Sequence, residues 1–90
     1  MHDEWIWRNA IIKELRKHFN NKYQYKVIFQ NNKACIYLNN DNIVTVIMNE
    51  IIKGHKYDFD VDINIENYSD ITESMLNELI DIAKTALENS

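Results

Sequence analysis

Tyr57-Asp58-Phe59-Asp60-Val61-Asp62-Ile63-Asn64-Ile65-Glu66 alternates apolar and polar residues over ten consecutive positions. A period of two belongs to the β-strand, in which neighbouring side chains leave on opposite faces. The stretch therefore reads as a strand with Tyr57, Phe59, Val61, Ile63 and Ile65 toward a core and Asp58, Asp60, Asp62, Asn64 and Glu66 away from it. A strand with one wet face belongs to an antiparallel sheet covered on one side, because parallel sheets are buried on both.

Upstream, three more segments have strand character, and short polar turns separate them. Tyr23 to Phe29 places Tyr23, Tyr25, Val27 and Phe29 on one side, Asn31-Asn32 leads into Ala34 to Leu38, and Asn39-Asn40-Asp41-Asn42 leads into Ile43 to about Ile52. Gly54-His55 then connects to the opening stretch. Connections this short favour an antiparallel meander.

Both flanks are helical. From Asp3 to about Phe19, Trp7, Ile11 and Leu15, with the parallel set Trp5, Ile12 and Phe19, recur at the spacing of one helix face. Asp3 and Glu4 suit the positive N-terminal end, and Lys13, Arg16, Lys17 and His18 the negative end. Beyond the strands, cap candidates Ser69, Asp70 and Thr72 precede Met75, Leu79, Ile82 and Ala86, beside Leu76, Ala83 and Leu87, again at helical spacing. The expected architecture is α+β, order α-β-β-β-β-α, with the N- and C-terminal helices packed on one face of a four-stranded antiparallel sheet. Residues 1–90 form one domain.

Ninety residues supply one core and little material for a deep pocket. No apolar run approaches the ~20 residues of a membrane-spanning helix, so no membrane role is expected. His2, Asp3 and Glu4 lack the basic start of a secretory signal, which predicts a cytoplasmic location. Cys35 is the single cysteine, so no internal disulfide can form. In a strand, a lone thiol reads as a small buried hydrophobe.

The net charge of −4 conceals a segregation. Residues 1–56 carry nine Lys and Arg against five Asp and Glu, whereas residues 57–90 carry nine acids against Lys84 alone. An acidic excess this concentrated attracts basic partners.

Asp58, Asp60, Asp62 and Glu66 would stand in a row, repeating every ~7 Å at alternate strand positions. That is similar to the distance between neighbouring phosphates on one nucleic-acid strand, so the row is a candidate phosphate mimic for the Lys and Arg of a nucleic-acid-binding protein. Two other readings stay open. The row serves solubility and keeps sheet edges apart, or the aspartates are hard oxygen ligands for magnesium or calcium. Against the metal reading, no phosphate loop or EF-hand spacing accompanies them.

His2, His18 and His55 fall at a terminus, a helix end and a turn, without metal-ligand spacing, and read as surface residues. Ser69 and Ser74 lack the setting of a nucleophile. No catalytic constellation, metal site or cofactor is expected, and the chain is read as a non-enzyme. Trp5, Ile6 and Tyr37 are contact candidates, Ile6 on the far side of the first helix and Tyr37 on the open sheet face.

In length, acidity, helix–sheet–helix order and the Asn-, Ile- and Lys-rich residue usage of an AT-rich genome, with zero prolines and one glycine, the chain resembles the small phage-encoded inhibitors of bacterial defence, including anti-CRISPR proteins and DNA mimics. The resemblance implies a basic nucleic-acid-binding effector such as a Cas nuclease as partner, with no direct contact to nucleic acid. The basic N-terminal half departs from a uniformly acidic mimic. The competing expectation is a small acidic chaperone or adaptor, dimeric, that binds through an exposed apolar sheet or helix face.

Overall fold

The computed structural model describes residues 4–51 and 56–89. Its elements are α1 (Glu4–Phe19), β1 (Tyr25–Gln30), β2 (Lys33–Leu38), β3 (Asp41–Ile51), β4 (Lys56–Ile63) and α2 (Glu73–Glu88). The order is α-β-β-β-β-α, and the strands form one antiparallel sheet in the sequence β1-β2-β3-β4. Asp3 as helix start, His2, Ile52 and the Gly54-His55 connection lie outside the described residues.

Local chemistry sets the boundaries. Glu4 occupies the positive end of α1, while Arg16, Lys17 and His18 fill its last turn. Asn20 then turns left-handed at φ 53°, and its N–H closes on the Arg16 carbonyl at 2.7 Å. Asn39 and Asn40 both hold positive φ, 50° and 70°, as a two-residue type I′ hairpin between β2 and β3 requires. Of the three cap candidates ahead of α2, Thr72 caps it, its hydroxyl accepting from the Met75 N–H at 3.2 Å.

One irregularity governs the sheet. Ile36 pairs with Val44 but Tyr37 pairs with Asn42, which leaves Ile43 as an extra residue, a β-bulge. The Asn42 side-chain amide donates to the carbonyls of Ile36 and Val44 at 3.1 and 3.0 Å and holds the bulge closed. Ile43 and Val44 are consecutive yet both fully buried, and beyond them Val44, Val46 and Met48 face inward while Thr45, Ile47 and Asn49 face outward.

The core lies between one sheet face and both helices. Val27, Phe29, Ala34, Ile36, Leu38 and Val46 meet Ile11 and Leu15 of α1 and Met75, Leu79, Ala83 and Leu87 of α2. Each fully buried aliphatic side chain contributes about 1.5–3 kcal/mol by leaving water. Trp7 packs half-buried against this cluster. Cys35 corrects the expectation of a buried thiol. Its neighbours Ala34 and Ile36 take the inward positions, so Cys35 stands half-exposed on the open face, 3.9 Å from the Thr45 hydroxyl.

Candidate protein interface

The sheet has two outer strands, and they differ. At the β1 edge, Asn39 N–H bonds the Gln24 carbonyl, and from that bond the alternation of an antiparallel ladder points the Val27 carbonyl outward. The Arg8 guanidinium donates to that carbonyl at 3.0 Å and pairs with Glu4 at 2.7 Å, so α1 occupies one outward group of this edge.

At the β4 edge, the Asn64 N–H bonds the Ile43 carbonyl at 2.8 Å. By the same alternation the backbone groups of Asp58, Asp60 and Asp62 face β3, while those of Tyr57, Phe59, Val61 and Ile63 face outward. The Phe59 N–H agrees with this, since it takes its own neighbour, the Asp58 carboxylate, at 3.0 Å. No strand lies beyond β4 among the described residues.

The side chains of β4 sort by face as the alternation requires. Asp58, Asp60 and Asp62 are exposed on the face turned away from α1 and α2, opposite Asn49, Ile47 and Thr45. Asn49 donates to the Asp60 carboxylate at 2.8 Å. On the helix side Phe59 and Val61 are half-buried, and Lys84 lies 5.4 Å over the Phe59 ring, but Tyr57 and Ile63 remain 38% and 48% exposed. The core thus thins toward β4 and leaves an apolar row partly open along the free edge.

Glu66 does not join the acidic row. The strand ends at Ile63, and the Tyr68 N–H closes on the Ile65 carbonyl at 2.9 Å, so Glu66 sits in a turn beyond the ladder. The acids of α2 stand in the helix layer, on the other side of the sheet. Tyr37 is on the open face as expected, with the Lys26 ammonium 4.8 Å over its ring. It is two strands, about 10 Å, from the row. Trp5 and Ile6 are 64% and 50% exposed on α1, which packs beside β1. Sequence spacing thus brings Asp58, Asp60 and Asp62 onto one surface and does not bring Trp5, Ile6 or Glu66 there.

The aspartates do not converge, because alternate strand positions hold them ~7 Å apart. One group of three candidate ligand atoms does converge elsewhere among the described residues. Glu14, His18 and Glu78 place theirs within 4.8 Å of one another across the α1–α2 seam. His18 Nε2 lies 3.3 Å from Glu14 and 3.7 Å from Glu78. Contact with Glu78 chiefly, with help from Lys17 and His18, holds the Glu14 carboxyl below the usual range. This cluster was missed because Glu78 belongs to the other helix. The described residues enclose no pocket.

Together these features define a small α+β domain whose outer strand β4 carries an acidic row and has no strand beyond it among the described residues. Comparison with protein-family models, with curated proteins and with solved structures finds no match to this chain.

Proposed function

We propose that this chain is a protein-binding module rather than an enzyme, an inhibitor of the anti-CRISPR kind that occupies the basic surface of a nucleic-acid-binding effector such as a Cas nuclease. The single observation that carries the reading is the row Asp58, Asp60 and Asp62, exposed together on the last strand of the sheet and on the face turned away from α1 and α2. Its ~7 Å repeat suits lysines and arginines that otherwise grip successive phosphates. The mimicry is confined to this edge, since Lys26 and Lys33 stand on the same face across β1 and β2.

Magnitude decides what the partner must look like. Each carboxylate contributes on the order of 1–3 kcal/mol when paired in a partly dry cleft, against roughly 0–1 kcal/mol when the pair stays in water. Three exposed acids therefore secure a partner only if its basic surface is concave enough to enclose the edge.

The test is competition. The partner is captured from a bacterial lysate on the immobilised chain, identified, and offered a short nucleic-acid duplex; the duplex and the chain should exclude one another. Simultaneous binding of both at full affinity overturns the reading. A second reading, an adaptor that docks apolar surface, is favoured by the exposed neighbours Trp5 and Ile6. Salt separates the two, because charge-led capture weakens steeply between about 0.05 and 0.5 M salt whereas apolar docking persists.

A further inference from the structure

We infer that the free edge of β4 is a docking site for an extended basic segment of a partner protein, which adds to the sheet as a fifth strand. The inference rests on the acidic row's being a contact surface and names how the contact is made.

Three properties of the edge specify the occupant. The backbone groups of Tyr57, Phe59, Val61 and Ile63 point outward with no strand beyond them among the described residues, and this is the hydrogen-bonding template that strand addition uses. On the helix side Tyr57 and Ile63 keep 38% and 48% of their surface exposed, so apolar side chains of an added strand would extend the core there. On the open side Asp58, Asp60 and Asp62 flank the same edge, so the alternate side chains of that strand would lie beside carboxylates. The complementary segment alternates basic and apolar residues over about seven or eight positions, the length of β4.

Charge also disfavours the most available competitor. A second copy pairing β4 with β4 would set two aspartate rows against one another, and like charges across a strand pair are destabilising. The β1 edge suits a basic segment less well, because Arg8 already occupies the Val27 carbonyl and the exposed Lys26 flanks it on the open face. Asp58 has a double part. In the free chain its carboxylate holds the Phe59 N–H at 3.0 Å; an incoming carbonyl takes over that N–H and frees the carboxylate for a lysine or arginine.

The experiment uses the full chain and a synthetic eight-residue peptide of alternating lysine and valine. Amide hydrogen exchange by NMR should slow about tenfold or more at Phe59, Val61 and Ile63 on binding, while the amides of Asp58, Asp60 and Asp62, already bonded to β3, change little. The same peptide N-methylated at every amide keeps its charge but cannot donate, and should bind about tenfold more weakly or worse. Alternating glutamate and valine should not bind. Strand addition is overturned if the methylated peptide binds as well as its parent, if the edge amides gain no protection, or if the lysine–valine peptide fails to bind at low salt. If the partner captured from lysate is lost on neutralising the three aspartates, yet the edge amides stay unprotected in the peptide complex, the acidic row stands as a contact and strand addition falls.

Discussion

Tyr68 holds the connection after β4 onto the β2–β3 hairpin. Its hydroxyl is shared between the Leu38 carbonyl, at 3.0 Å, and the Asp41 carboxylate. An ionised phenol would stand against that carboxylate, so the hydrogen bond to Asp41, with burial, pushes the Tyr68 pKa up to about 12. A tyrosine whose folded pKa exceeds its unfolded value, about 10, contributes stability that is complete below pH 10 and lost as pH rises toward 12. Melting temperatures measured across that window should decline in the parent, and Tyr68→Phe should make the decline shallower while lowering stability at neutral pH. An unaltered alkaline slope would contradict the assignment. Asp70 works in the opposite direction. Lys22 at 2.6 Å, then Tyr23, hold its carboxyl below the usual range, so its contribution is present above pH ~4 and fades as pH falls. Neither contact was legible in the sequence, where Asp70 reads as a helix cap; each joins residues far apart along the chain.

At the scale of the elements, β4 and α2 do different work, and substitutions should separate them. Leu79 is fully buried between α2 and the sheet, so Leu79→Ala should cost about 2–5 kcal/mol in chemical denaturation. Thr72→Ala, which removes the α2 cap, should cost about 1 kcal/mol. Equal effects, or none at Leu79, would mean the core is not where it is drawn. Element identity was readable because the alternation from Tyr57 to Ile63 and the helical stripe from Met75 to Leu87 are strong local signals. Three features of the site were not. The bulge at Ile43 shows no mark in a run that reads Ile43-Val44-Thr45-Val46, because every residue there suits a strand. Glu66 continued the alternation in sequence, yet the turn closed by Tyr68 and Ile65 removes it from the ladder. The contact of α1 with the β1 edge depends on Arg8 reaching Val27 across 19 positions, which no local pattern announces.

Across the whole molecule, topology carries the charge segregation of the sequence into space only in part. The strands lie in the order in which they are made, α1 packs beside β1, and α2 packs over β3 with β2 and β4. Arg8, Arg16 and Lys17 thereby lie on the helix beside β1 and Asp58, Asp60 and Asp62 on the opposite outer strand, while Asp70 pairs with Lys22 at 2.6 Å and Glu78 approaches His18 at 3.7 Å. If the row is the contact surface proposed above, its field would steer a basic partner to the β4 side, and that steering would fade with salt. The most direct measurement is a paired one on the variant D58N/D60N/D62N, its melting curve beside its affinity for the captured effector at about 0.1 M salt. The variant should keep its stability within about 0.5 kcal/mol of the parent's, since the three carboxylates are exposed, and bind with an affinity lower by on the order of a hundredfold or more. Affinity equal to the parent's in a fully folded variant would make the row a solvated face with no part in binding.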